Sequence, residues 1–178
     1  MTFFLMGICS GVCSGVFAAI PPMGLIVPGA AFGVALAIAM NTTGGPLPMG
    51  RPTMLIGASM LAYSAAIVSS LFASRLCGIG NGIVGGACIG SIGGWVGAFG
   101  LALAVIVIGG SMNVIKLLLV VSLTGGILEA ILVTLSIYLA DQLSAPREVR
   151  DFIHFSVWQA GVATAIAQCH RPPESEDD

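Results

Sequence analysis

A single glutamate interrupts the long apolar stretch LLLVVSLTGGILEAILVTLSIYLA, at Glu129. Burial penalises the charged form of a carboxyl group, so such a residue is suited to taking up and releasing a proton or a cation. Ser122, Gly125, Gly126, Glu129 and Ser136 fall on one stripe at the 3.6-residue period of a helix. The carboxyl group is therefore expected to face other protein or a cavity. The chemistry it predicts is ion coupling or binding of a cationic substrate at Glu129, flanked by Ser122, Gly125 and Gly126. The plainer alternative is a protonated carboxyl group bonded to a neighbouring helix. Tyr63, on the small and hydroxyl-bearing face Ser59, Tyr63, Ala66 and Ser70, is the candidate donor to it. Lys116 precedes Glu129 by 13 residues. That separation is roughly 20 Å along a helix and points to the opposite side. Lys116 is thus expected to extend to the membrane surface, not to pair with Glu129.

The other reactive residue types form no established pattern. The two histidines, His154 and His170, are roughly 24 Å apart along a helix, too far to hold one haem between them. His154 begins a stripe with Trp158, Gly161, Ala165 and Gln168, and its place near a helix end reads as capping or interfacial. The five cysteines include no C-x-x-C and read as small packing residues. With so few His and Cys, no metal site and no cofactor are implied. Gly57-Ala58-Ser59 together with His154 resembles the Ser/His dyad of rhomboid proteases, but no glycine follows this serine and no His-x-x-Gly occurs near His154. A glycine-stepped helix turning into one with a mid-membrane glutamate resembles the rotor-ring proteolipids, without their polar turn. No catalytic residue is assigned, and the chain reads as a non-enzyme.

The elements that must carry these residues follow from composition. Among 178 residues only six are Lys or Arg and eight are Asp or Glu, about 8% charged, and 57% are hydrophobic. Soluble domains carry roughly 25% charged residues. An ordinary soluble domain, a disordered chain and a nucleic-acid-binding module are excluded, the last because no basic patch exists. Six apolar stretches of the length that crosses a bilayer are predicted at 3–20, 24–40, 53–72, 82–109, 113–140 and 152–169. Only Lys116 and Glu129 among the charged residues fall inside them. Residues 3–40 are too long for one crossing, and Pro21-Pro22 marks the turn of a hairpin; one span followed by a re-entrant segment at Pro28-Gly29 is the rival. The N-terminus has no basic segment of the kind that begins a signal peptide. The tail 171–178 is short and acidic, with disorder expected. Three cations fall on each side of a six-span chain, so the positive-inside rule gives no orientation. Cytoplasmic termini are the default.

The lengths of the connections repeat, at 3 and 12 residues in the first half and 3 and 11 in the second. The opening stretch of each half is stepped with glycine: Gly7, Gly11 and Gly15, then Gly82, Gly86, Gly90 and Gly94. A three-span unit repeated once is necessarily inverted, an arrangement common in secondary transporters. Glycine at such steps flattens one helix face and lets neighbouring backbones approach. The expected fold is an all-α integral membrane protein, a six-helix transmembrane bundle over 1–170 with a 3+3 inverted repeat. The expected function is transport or a channel in a bacterial inner membrane. Its partners would be the lipid bilayer and copies of itself or other membrane subunits, with no nucleic acid. The rival is a structural or assembly subunit of a larger membrane complex, in which Glu129 and the glycine faces meet partner helices.

Overall fold

The computed structural model describes residues 1–18, 20, 23–77, 82–109 and 113–169. Pro21-Pro22, most of the turn after Gly109, and the tail from His170 lie outside the described residues. Among the described residues, six α-helices and no strand make up the fold: α1 (Thr2–Ala18), α2 (Met23–Thr43), α3 (Arg51–Cys77), α4 (Gly82–Gly109), α5 (Val114–Leu143) and α6 (Arg147–Cys169). The apolar run at 3–40 divides into α1 and α2, which pack on each other.

Four helices, α2 to α5, are long and apolar enough to cross a membrane, against the six expected. The reason differs for the other two. Helix α1 is apolar but has only 17 residues. Helix α6 starts at Arg147 and so gathers Arg147, Glu148, Arg150 and Asp151 into its first turns. Its early start has a local cause. Ser144 takes the left-handed conformation (φ 48°) and ends α5. The Ala145 N–H then donates to the Leu139 carbonyl at 3.0 Å, the closure typical of a helix C-terminus. Pro146 follows, and its carbonyl accepts from the Arg150 N–H at 3.2 Å. A proline with φ fixed near the helical value suits a first turn.

Each helix packs on its neighbours in sequence, and α6 returns to α1, so the six close a ring. Glycines line its seams. A Cβ built on Gly7 would lie 2.6 Å from Ala160 Cα and one on Gly15 would lie 2.8 Å from Phe152 Cα, while Gly11 abuts Ser156 Cα. These three seat α1 on the backbone of α6. On α4, Gly90 and Gly94 back onto α5, whereas Gly93, Gly97 and Gly100 back onto α3. The two stripes with the same local pattern thus meet different partners, α6 for Gly7–Gly15 and α5 for Gly86–Gly94. Gly86 meets the side-chain ends of Ile137 and Val133 and no backbone. Gly82 corrects the expectation of a packing glycine: nothing lies within 4 Å of its Cβ position, and its φ of +52° makes it a turn residue at the head of α4.

The ring is filled differently at its two ends. At the end marked by Arg51 and Lys116, Leu36, Met40, Leu55, Val105, Leu117 and Ile166 are fully buried. Arg51 Nη1 also donates to the Ile108 carbonyl there at 2.9 Å, a cation at the C-terminus of α4. At the other end, a disulfide joins Cys77 of α3 to Cys88 of α4. This corrects the reading of all five cysteines as packing residues; Cys9, Cys13 and Cys169 remain free thiols. A maleimide mass tag added to the denatured protein is therefore expected to label three thiols without reductant and five with it. Five labelled thiols before reduction would remove the crosslink.

One buried polar cluster holds the α1–α6 seam. Gln159 is almost wholly inaccessible. Its Oε1 accepts from Ser10 Oγ at 2.5 Å, and its Nε2 donates to Ser14 Oγ at 2.9 Å. Ser14 Oγ in turn donates to the Ser10 carbonyl at 2.8 Å. Gln159→Leu is near in volume but removes both hydrogen bonds that cross the seam, leaving Ser10 Oγ bonded to the Gly7 carbonyl at 3.0 Å and Ser14 Oγ to the Ser10 carbonyl. A loss of about 1–3 kcal/mol in unfolding free energy is expected, read as a lower thermal midpoint in detergent. An unchanged midpoint would mean that these two bonds do not hold the seam.

Candidate functional site

Glu129 stands at the middle of α5, where two glycines of α4 make room for it. A Cβ at Gly94 would meet Glu129 Cβ, and one at Gly90 would lie 2.8 Å from the Glu129 carbonyl. The α4 glycine stripe and the glutamate are thus one construction: the missing side chains let the glutamate's stem lie against α4 and turn its carboxyl group inward. There it meets α6. His154 Nε2 and Glu129 Oε1 are 2.9 Å apart. That is hydrogen-bond distance, and the direction of the bond follows the tautomer and protonation of the imidazole. No partner for the second carboxyl oxygen occurs among the described residues. Both side chains keep about a fifth of their surface accessible, so the pair is reachable and not sealed.

A second rung ties the same two helices. One turn along each, Trp158 Nε1 donates to the Gly125 carbonyl at 3.1 Å. His154 to Glu129 and Trp158 to Gly125 therefore form parallel links, four residues apart on α5 and on α6. Trp158 also packs on Phe32 of α2, with ring centroids 6.1 Å apart, and Phe155 on Tyr63 of α3, at 6.2 Å. These contacts span the ring at mid-height.

Above them is a cavity of about 350 Å³, bounded by α3 (Tyr63, Ala66, Ile67, Ser70, Leu71, Ser74), α4 (Ile89, Gly93, Gly94), Glu129, and α6 (His154, Phe155, Trp158). Its lining runs from the level of Glu129 to Ser74 and Ile89, beside the Cys77–Cys88 crosslink. It reaches Leu71, whose side chain is exposed on the outer surface. Tyr63, Ala66 and Trp158 also wall a second space of about 20 Å³, the size of one water molecule. Ser59 lines that space and is buried, and its hydroxyl finds no partner among the described residues. Below it the bundle is filled by the apolar core.

The predicted site residues divide. Glu129 and Tyr63 share the large cavity, though the Tyr63 hydroxyl donates to the Gly24 carbonyl at 3.4 Å and not to Glu129. Gly125 serves through its carbonyl. Gly126 packs toward Ser91 and Trp95, and Ser122 is buried two turns below; neither lines the cavity. His154 is the residue that the sequence reading misplaces. Taken as starting at 152, the last helix puts His154 at its very end. Starting at Arg147 instead, the helix carries His154 two turns inward, to the glutamate. The signal was present: His154 and Trp158 share a stripe, and both line the cavity. Further along it, Gly161 meets Leu128 and Gln168 is exposed. Among the described residues no group of three or more His, Cys, Asp or Glu could hold a metal ion. Comparisons with protein-family models, curated proteins and solved structures return no match.

Proposed function

We propose that this chain is a small membrane carrier in which Glu129, paired with His154, exchanges a proton to drive movement of a solute. The observation that carries the reading is an acid and a base 2.9 Å apart in the wall of a cavity whose lining extends from mid-bundle toward the crosslinked end, with the apolar core packed toward the other. A membrane setting is supported by the four crossing-length helices and by their outward apolar side chains: Leu61, Val107 and Ile115 are each 73% exposed. In water that surface would aggregate. The crosslink supports an orientation, since disulfides persist in oxidising compartments. The cavity end would then face the periplasm of a bacterium and both termini the cytoplasm.

Alternating access fits a division into α1–α3 and α4–α6. The seams between these halves, α1 on α6 and α4 on α3, are each lined by glycines of the first helix of a half. Under an inverted repeat these seams are equivalent, and smooth faces of this kind can slide without unlocking large side chains. The rival, an assembly subunit, requires Glu129 and the glycine faces to await partner helices; here they are taken up inside the bundle. The test is reconstitution of the purified chain into liposomes holding a pH-sensitive dye. Addition of small solutes outside is expected to move protons through wild type for one solute class. Failure of every class, with the protein folded, would remove the carrier reading.

A further inference from the structure

We propose that the cavity above Glu129 binds a small organic cation with an aromatic or flat apolar body, and that binding expels one proton from the Glu129–His154 pair. The transport consequence rests on the carrier reading; the binding itself does not. The volume, about 350 Å³, lies at the small end of the ~300–1,000 Å³ range of ligand sites. One carboxyl oxygen faces His154, leaving the other for a ligand. An anion would meet the wrong charge. A bare metal ion would want several oxygen ligands, and the described residues supply no such group. The walls are instead Tyr63, Phe155 and Trp158 with Ile67 and Ile89. Aromatic faces attract a desolvated cation, and apolar walls accept its body. Ser70 and Ser74 line the outer part, where hydroxyls can meet a polar substituent.

The charge balance gives the exchange. At rest the pair is neutral overall, as imidazolium with carboxylate or as imidazole with carboxylic acid, the arrangement that burial favours. A cation against the carboxylate repels a second positive charge one hydrogen bond away. The Nδ1–H bond of His154 therefore breaks and its proton passes to water, while the proton between Nε2 and Oε1 stays on Nε2 and donates to the carboxylate, so that a carboxylate with neutral imidazole remains. One positive charge enters and one departs. The other ionisable groups about the pair do not alter this count. Tyr63 is bonded to Gly24, Asp151 is paired with Arg147 at 3.4 Å, Arg150 is directed to the Ser136 carbonyl, and α4 offers only the crosslinked Cys88.

The test uses the full chain in detergent with Trp95→Phe, which leaves Trp158 as the sole tryptophan. Benzyltrimethylammonium is the probe, with benzyl alcohol and phenylacetate as neutral and anionic controls. Expected are saturable change of Trp158 fluorescence with the cation alone and release of about one proton per site in weak buffer. Glu129→Gln is expected to weaken the cation about ten-fold to one-hundred-fold and to abolish the release. Equal binding of either control, undiminished binding in Glu129→Gln, or binding without proton release would overturn the proposal. If the cation does not bind while another solute still drives Glu129-dependent proton flux, the ligand class is wrong and the carrier reading stands. If it binds as described and no solute crosses a membrane, the site stands and the carrier reading fails.

Discussion

Glu129→Gln is expected to reduce solute-driven proton flux in liposomes by two orders of magnitude or more, about 2.7 kcal/mol on the barrier, while the protein still folds. The substitution keeps the shape of the side chain, and the Gln amide oxygen can still accept from His154 Nε2, where 2.9 Å separates the native pair. What it removes is the ability to ionise. The stem of Glu129 lies against Gly94, and no other acid lines the cavity. His154→Gln should cost less, because the carboxyl group survives and loses only the neighbour that shares its proton. The order of rates is expected to be wild type, then His154→Gln, then Glu129→Gln, with similar thermal midpoints. Flux that persists in Glu129→Gln would move the coupling site elsewhere. A collapsed midpoint in that variant would make the pair a structural bond.

Gly11→Ala should be among the most destabilising single-atom additions in the chain. Its Cβ would fall on Ser156 Cα and within 2.6 Å of Ser156 N. The obstacle is backbone of α6, held by its own helix hydrogen bonds, so the whole of α1 must shift. Inserting a carbon into a filled core costs about 1–3 kcal/mol when side chains can adjust, and here they cannot. The same shift would pull Ser10 and Ser14 from Gln159 and open the contact that closes the ring. Gly57→Ala is the matched control. Nothing lies within 4 Å of a Cβ there, and alanine favours a helix by up to about 1 kcal/mol. Thermal unfolding in detergent is expected to show a large fall for Gly11→Ala and no loss for Gly57→Ala. Equal midpoints would mean that α1 is not seated on α6 as described.

Much of the architecture was legible without coordinates because apolar run length depends on local sequence alone. Residues 82–109 are helix α4 at the very limits that hydropathy marks, and no charge or proline competes there. The last helix was misjudged because hydropathy measures transfer to lipid and not backbone geometry. Arg147, Glu148, Arg150 and Asp151 are poor in lipid but acceptable in a helix, and Pro146 starts one. The stripe carrying Glu129 likewise followed from the 3.6-residue period. The importance of Gly86, Gly90 and Gly94 as a flat face was readable too, but not which neighbour it meets.

By itself, then, the sequence determined that a lone carboxyl group sits mid-helix in a nearly uncharged bundle, since both facts depend only on residue type and spacing. Tertiary structure decided who its partner is. His154 is 25 residues away along the chain, across a link whose length sets the phase of α6 against α5. A shift of two residues in that start would rotate His154 by about 200° and leave Glu129 unpaired. The cavity and the Cys77–Cys88 crosslink have the same origin. They exist only where helices distant in sequence are brought to a fixed distance and rotation, which no local pattern records.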